Sequence, residues 1–471
     1  MSEAERKDAT DTIAAVATAP GVGGVGIIRI SGPAAHDILL SMFRPSSPSF
    51  TDFTPRMLHH GHVLDAEGRE ADDALVVFFK APHSFTGEDC AEIQGHGGPA
   101  VLAALLDSAL SRGARMADRG EFTRRAFLNG RMDLSQAEAV AELIAAPSRE
   151  GVHLAAAKLD GLLGRRVEEL RGRLEYLRQR ICLAIDFPDE EGECLPPQEF
   201  TAITQEVADG IRALLAGYER ARCWREGALV VMAGQVNAGK SSLMNAFLGR
   251  ERAIVTEKPG TTRDYLEEET MLSGLPVRLV DTAGLREHSE DSIELEGMRR
   301  GRELAKSARC ILVVLDGTRA DRTSDAPLSV FEAEGKLVEE LGAERCLAVW
   351  NKADAAPLPG KATLFHGAPL LPISAKKGEG IDELSSAVRA LCLKDEDPEE
   401  GDIAPNLRQA SQLRRALEAL DELKRAIALS VPPDLCSIHL ETACAFLADI
   451  TGLNSTEDTL NAIFSTFCIG K

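Results

Sequence analysis

No stretch of this chain approaches the roughly 20 consecutive apolar residues that a bilayer-spanning helix needs. The opening MSEAERKDATDT is charged where a secretory leader would be apolar. A cytosolic chain with no membrane span is therefore expected. Paired cysteines are missing as well: the ten cysteines (Cys90, Cys182, Cys194, Cys223, Cys310, Cys346, Cys392, Cys436, Cys444 and Cys468) contain no C-x-x-C pair and no Cys/His spacing of a zinc site. Reduced thiols are the expectation. Positive charge is also in deficit, with a formal net charge of −21, which argues against a protein that coats nucleic acid through bulk electrostatics. Two local basic stretches stand out against that balance, Arg112, Arg115, Arg119, Arg124, Arg125 and Arg131, then Arg165, Arg166, Arg171, Arg173, Arg178 and Arg180. Either is a patch for an anionic partner or a solvated helix face, and for the second the solvated face is at least as good a reading.

What is present divides the chain. Its 471 residues exceed what one core serves, so two to four domains are expected. From residue 10 to about 120, short apolar runs (IAAVAT, VGIIRI, ALVVFF) alternate with Gly/Pro turns and a few helical stretches such as Pro99 to Leu110, the pattern of a small α+β domain. Helical periodicity rich in Ala, Leu, Glu and Arg then runs from Ala126 to about Arg222. Between about Glu226 and Leu393, β-runs (ALVVMA, VRLVDTA, CILVVLDG, CLAVWNKAD, LLPISAK) alternate with helical stretches, which predicts a doubly wound, mostly parallel sheet. After the acidic linker KDEDPEEGD, helices resume from Asn406 to the end. The economical arrangement is a discontinuous helical domain into which the α/β domain is inserted.

The chemistry sits in that insertion. Gly234-Gln235-Val236-Asn237-Ala238-Gly239-Lys240-Ser241-Ser242 is a G-x-x-x-x-G-K-S loop between the strand ALVVMA and the helical SLMNAFL. Its glycines let backbone N–H groups turn around phosphates, Lys240 reaches the β/γ oxygens and the Ser241 hydroxyl ligates Mg²⁺. Asp281-Thr282-Ala283-Gly284 ends the run VRLVD, where the aspartate can hold Mg²⁺ through water and the Gly284 N–H can meet the γ-phosphate. Between the two, the polar loop Gly260-Thr261-Thr262-Arg263-Asp264 can close over Mg²⁺ with a threonine hydroxyl. Asn351-Lys352-Ala353-Asp354 and Ser374-Ala375-Lys376 each follow an apolar run. An aspartate there accepts from guanine N1–H and N2–H₂ while a backbone N–H near Ala375 donates to O6. Adenine presents the opposite pattern, so GTP is favoured.

Leu285 follows D-T-A-G, where a Ras-like GTPase places a water-orienting glutamine. Catalytic help must come from elsewhere, and Glu287, Glu290, Asp291, Glu294 and Glu296 are the local candidates. Two motifs are set aside. Gly21-Val-Gly23-Gly-Val-Gly26 spells G-x-G-x-x-G, but IIRI follows as a strand and offers no helix N-terminus to a pyrophosphate. His59, His60 and His62 fall on a strand without an evident acid partner, so half-exposed histidines are expected rather than a metal site. Cys468, in the terminal Cys468-Ile-Gly-Lys471, is either a reactive thiol offered to another domain or an inert thiol at an apolar helix end.

The segments DTIAAVATAPGVGGVGIIRISG, SFTGEDCAEIQGHGG and GEFTRRAFLNGRMDLSQAEAVAELI, the inserted GTPase motifs and the terminal FCIGK together resemble the bacterial tRNA-modifying GTPase family MnmE, or TrmE, over essentially the whole chain. The resemblance implies a multidomain α/β and α+β protein. Residues 1–125 would form a tetrahydrofolate-binding, dimerising domain. Residues 126–225 and 394–471 would form the helical domain, and 226–393 a Ras-like P-loop GTPase domain. It implies addition of a one-carbon group, from a 5-formyl- or 5,10-methylene-tetrahydrofolate type donor, with an amine, to C5 of the wobble uridine of certain tRNAs. The implied assembly is a homodimer that joins the FAD-dependent MnmG in a heterotetramer. Arg29, Glu92, Arg131 and Lys471 would contact folate, with Arg131 where the family's lysine is expected, which keeps the charge and changes the donor geometry. Asn237 would ligate K⁺ with backbone oxygens of Thr256 and Lys258 and with Thr261, within the loop Thr256-Glu257-Lys258-Pro259-Gly260-Thr261. Thr262 would complete the Mg²⁺ shell, Glu294 would be the acid after switch II, and Cys468 the family's terminal cysteine near the folate. The competing reading from another class is a ribosome-assembly GTPase of the Era or Der type, but no GXXG clamp in suitable surroundings follows the nucleotide motifs.

Overall fold

The computed structural model describes residues 11–186, 197–250, 267–281, 304–320, 328–359, 363–393, 402–429 and 431–471. They group into two compact units, one drawn from 1–141, 158–209 and 411–471 and the other from 142–157 and 210–410. No described helix is long and apolar enough to cross a membrane.

The first unit is built on a seven-stranded sheet. Its elements are β1 (Ile13–Val16), β2 (Gly23–Ser31), α1 (Ala35–Met42), β3 (Phe43–Pro45), β4 (His59–Leu64), β5 (Glu70–Phe79), β6 (Cys90–Gly97), α2 (Pro99–Ser111), β7 (Arg115–Met116) and α3 (Glu121–Leu128). The strand order is β3-β4-β5-β6-β2-β1-β7, antiparallel except for the parallel β1–β7 pair. Successive side chains of a strand face opposite sides. Ile28 and Ile30 of β2 and Ala91 and Ile93 of β6 thus join α1 and α2 in one core, through Ile38, Leu39, Leu102 and Leu105. The residues between them, Arg29 and Glu92, face the other side, where Ile13, Ala15, Ala117 and Phe122 form a second, smaller cluster.

Helices follow: α4 (Leu134–Ala145), α5 (Arg149–Leu159), α6 (Leu162–Asp186) and α7 (Pro197–Glu226). Leu163, Val167, Leu170, Leu174, Leu177 and Ile181 recur along α6 at alternating spacings of four and three and are all buried, the stripe that seats one helix against another. The arginines between them lie outside that stripe and pair locally, Arg166 with Glu169, Arg171 with Glu168 and Arg178 with Glu175. The second basic stretch is a solvated helix face.

The second unit carries β8 (Ala228–Ala233), α8 (Lys240–Arg250), β9 (Glu267–Leu272), β10 (Leu275–Asp281), β11 (Cys310–Asp316), α9 (Glu332–Leu341), β12 (Cys346–Asn351), β13 (Leu364–Phe365), β14 (Ala368–Pro372) and α10 (Ile381–Leu393). The sheet order is β13-β14-β12-β11-β8-β10-β9; the five central strands are parallel, and β9 and β13 add antiparallel edges. These edge strands were not foreseen, since EEETML alternates weakly and LF is two residues long. The central strands are covered on both faces, with Val230 and Met232 in one core and Val231 and Ala233 in the other. That double burial explains their unbroken apolar runs. The chain closes with α11 (Leu407–Ala428), α12 (Pro433–Thr451) and α13 (Glu457–Phe464). Within the first unit, Leu460, Phe464 and Phe467 pack on Leu134 and Ala137 of α4.

A candidate nucleotide site and a polar cleft on the first sheet

In doubly wound sheets, ligands bind beyond the carboxyl ends of the strands, where the order reverses. The nucleotide motifs meet there. Gly234 leaves β8 at φ 143° and packs so closely on the Val314 carbonyl that a side chain would collide with it. Gly239, at φ 94°, faces the Asn351 side-chain amide with no room for a Cβ. Between them Asn237 takes left-handed backbone at φ 63°, a conformation asparagine tolerates better than most residues. Lys240 opens α8, is 5% exposed, and donates to the carbonyls of Gly234 and Gln235, each at 3.0 Å. Those donors are aimed at the phosphate loop. The Ser241 hydroxyl lies 3.2 Å from an Asp281 carboxylate oxygen, which gives two hard oxygen ligands at the helix N-terminus, a donor set that fits Mg²⁺. Ser242 follows on the same turn of α8.

The base-reading motifs close around the same loop. Asn351 donates through Nδ2 to the Ala238 carbonyl at 2.9 Å and accepts through Oδ1 from the backbone N–H of Lys352 and of Ala375. Lys352, at φ 62°, donates to the Asn237 carbonyl at 3.0 Å and to Asp316 at 2.7 Å. Asp354 accepts from the Ser374 hydroxyl at 2.8 Å, and that bond holds its carboxyl below the usual carboxylate range. Ser374 in turn accepts from the Lys377 N–H, and Lys376 lies in the same turn. The fold thus gathers Asn237, Ala238, Gly239, Lys240, Ser241, Asp281, Asn351, Lys352, Asp354, Ser374 and Ala375. Thr256, Glu257, Lys258, Pro259, Gly260, Thr261, Thr262, Thr282, Ala283, Gly284 and Glu294 lie outside the described residues.

Asp316 was not singled out from the sequence. It ends β11 in register with Asn351 of β12, just as Asp281 ends β10. A carboxylate closing an otherwise apolar parallel strand is a readable signal. Burial opposes its ionisation, but the bonds from Lys352 and Thr318 outweigh that and pull its pKa below the usual value.

On the first sheet, Arg29 and Glu92 stand opposite each other in register and pair at 2.8 Å through Nη2 and 3.0 Å through Nε. The Arg29 guanidinium also lies over the Phe85 ring, 5.2 Å from its centroid. The chain end joins them: Ile469 bridges Arg119, and the Gly120 N–H bonds the Cys468 carbonyl at 3.3 Å. The Lys471 ammonium is pushed below its usual pKa by burial first and then by the charge of Arg29, with Glu92 acting in the opposite sense. Arg131 packs its stem against Gly87 in the loop that carries Phe85. The Cys468 side chain is exposed, so the alternative of a buried inert thiol falls. Two cations and a carboxylate beside an aromatic ring suit a ligand with an amide-rich ring and an acidic tail, as a folate has.

The first basic stretch is divided: Arg119 and Arg131 are exposed, whereas Arg125 and Arg115 are held in an internal network. Arg125 is 1% exposed and donates to Asp11 at 2.6 Å, Glu121 at 3.0 Å and Glu88 at 3.2 Å; Arg115 pairs with Asp11 at 2.8 Å and Glu121 at 2.7 Å. The histidines of β4 do have acid partners, contrary to expectation: His60 lies 2.9 Å from Asp73, and His62 lies 3.9 Å from Asp73 and 4.0 Å from Glu70. No group of metal-binding His, Cys, Asp and Glu occurs among the described residues. The G-x-G-x-x-G segment runs into β2, so no helix N-terminus follows its glycines directly.

Comparison with known proteins identifies the family. Residues 12–131 match the family model for the GTP-binding protein TrmE N-terminus, and 134–468 that for the MnmE helical domain. The chain is 53% identical over 464 residues to the tRNA modification GTPase MnmE of Nitratidesulfovibrio vulgaris, covering 98% of this chain and 99% of the relative. It is 46% identical to that of Lawsonia intracellularis, covering 98% and 100%, and 39% identical to that of Desulfotalea psychrophila, covering 98% and 98%. The chain belongs to the MnmE, or TrmE, family of tRNA modification GTPases.

Proposed function

We propose that this GTPase of tRNA modification couples GTP turnover on its α/β unit to a folate-dependent change at C5 of the wobble uridine, acting as a cytoplasmic homodimer together with the FAD-dependent MnmG. Lys240 neutralises charge on the β- and γ-phosphates, and the loop N–H groups orient them for in-line attack. Mg²⁺, held by Ser241 and Thr262 with Asp281 behind its water shell, would spread the charge that develops on the transferred phosphoryl. Potassium, held by Asn237, Thr261 and the backbone oxygens of Thr256 and Lys258, would supply the positive charge that Leu285 cannot replace. Glu294 orients the attacking water or its partner groups, and Asp354 with the Ala375 N–H selects guanine.

On the first unit, Arg29, Arg131 and Lys471 bind the anionic and carbonyl groups of a tetrahydrofolate while Glu92 accepts from its ring N–H groups. The bound folate would supply the one-carbon unit, and the exposed Cys468 thiol stands at the chain end beside it. The domains that carry these roles would run over 1–125, 126–225 with 394–471, and 226–393. What carries the folate reading is the pairing of Arg29 with Glu92 beside Lys471 on the face of the sheet away from its main core. Calorimetric titration of the purified chain with 5-formyltetrahydrofolate tests it. Saturable binding, weakened at least about tenfold in Arg29→Ala, is the expected result. Absence of saturable binding removes the folate reading and leaves the GTPase.

A further inference from the structure

We propose that Asp316 is a positioning residue through which the guanine-reading loop holds the phosphate loop. Its side chain is 11% exposed at the end of β11. One oxygen accepts from the Thr318 N–H at 3.0 Å and hydroxyl at 2.6 Å. The other accepts from the Lys352 ammonium at 2.7 Å. That ammonium also donates to the Asn237 carbonyl at 3.0 Å, while Asn351 holds the next carbonyl, of Ala238, at 2.9 Å. Two successive carbonyls of the phosphate loop are therefore gripped by two successive residues of the N-K-A-D motif.

The grip needs Asp316. Asn237 and Lys352 both sit in left-handed backbone, at φ 63° and 62°, and non-glycine residues keep that conformation only where their surroundings over-determine it. The lysine is a flexible four-carbon stem with a strongly hydrated head, and its side chain is 36% exposed. A carboxylate fixed on its far side by Thr318 converts that stem into a strut. The charge-assisted bond between them is roughly twice as strong as a neutral one. The depressed pKa of Asp316 keeps the carboxylate ionised at neutral pH. Because Asn237 is also the proposed potassium ligand, the strut sets the position of that ligand as well; this arm rests on the function proposed above.

The test uses the full chain with Asp316→Asn. The amide keeps the shape, and since Thr318 holds the oxygen, it turns an N–H toward the Lys352 ammonium. GDP binding by calorimetry should weaken about tenfold. The KCl concentration for half-maximal GTP turnover should rise several-fold, while guanine is still preferred over adenine because Asp354 is intact. If Asp316 acts through Lys352, the double variant with Lys352→Met binds GDP no more weakly than Lys352→Met alone. Unchanged GDP affinity in Asp316→Asn, or full additivity with Lys352→Met, overturns the proposal. Should Asp316→Asn not fold, Thr318→Ala decides, with a weakening of about two- to threefold expected and no change counting against the strut. Equal wild-type turnover in KCl and NaCl would defeat the ion reading alone, and the GDP affinities would still decide on Asp316.

Discussion

A carboxylate that reads two guanine N–H groups must be ionised and must present its oxygens as acceptors only. Asp354 meets both conditions, since the Ser374 hydroxyl occupies one lone pair and favours the charged form. In Asp354→Asn one acceptor becomes a donor that faces the guanine N–H groups. A mismatch of this kind, once the bound base covers it, rejects a substrate by about 100-fold or more, so kcat/KM for GTP should fall by at least that factor while xanthosine triphosphate, which carries an oxygen at that edge, becomes the better substrate. Unaltered GTP turnover would show that Asp354 does not read the base. At this scale the sequence was partly legible. Asp281 and Asp354 carry recognisable neighbours, whereas Asp316 has only Gly317 and Thr318 after it, and its role emerges when β11 and β12 come into register. Arg125 shows the opposite failure. One arginine among six reads as surface charge until Asp11, distant in sequence, and Glu88, from a loop, close around it.

Elements carry the next two expectations. The loop before α8 holds Asn237 in left-handed backbone, so on the proposed function an ion bound by its side-chain oxygen would lie next to the phosphates. GTP turnover should be several-fold faster in KCl than in NaCl, because the smaller ion fits a cage set for the larger one poorly. The preference should vanish in Asn237→Gly, which removes the ligand without straining the backbone. A preference that survives there moves the ion elsewhere. In the first unit, the network of Asp11, Glu88, Glu121, Arg115 and Arg125 ties the start of β1, the loop before β6 and α3 together. Burial works against ionisation of Asp11 and Glu121, but it is outweighed, for Asp11 by hydrogen bonds from Arg115 and Arg125 and for Glu121 by bonds from Arg115 and the Asp118 N–H with the charge of Arg125, and both pKa values are lowered. Groups of this kind stabilise the fold fully above their unfolded values of about 4 and lose that contribution as pH falls through the folded values. Thermal unfolding followed from pH 6 to pH 3 should therefore show a stability loss that steepens below about pH 4. Glu121→Gln should flatten that slope and cost about 3 kcal/mol at neutral pH, since it leaves buried arginine charge less compensated. An unchanged slope would mean the network adds nothing to stability.

Across the whole molecule, strands alternating with helices were enough to foresee the α/β unit and its parallel core. Single apolar runs foretold β1, β2 and β5 of the first sheet. Among the strands they missed, β3, β7 and β13 are two or three residues long and exist because a neighbour offers hydrogen bonds, a condition no local pattern encodes, while the longer β6 and β9 carry glycines or glutamates in place of an apolar run. The return of the chain end to Arg29 and Glu92 is likewise tertiary. It depends on Leu460, Phe464 and Phe467 finding α4, and only the family resemblance of the terminal FCIGK pointed to it. Relatives named as tRNA modification GTPases match over 98% of the chain, which leaves the ribosome-assembly reading without support. On the proposed function this GTPase serves modification of the wobble uridine. The most direct test of that role is the mass of nucleosides from tRNA of a strain that lacks the chain. Loss of the C5 substituent at the wobble uridine, restored by the wild-type gene and not by Asp354→Asn, is the predicted result, and full modification in the deletion strain would contradict it.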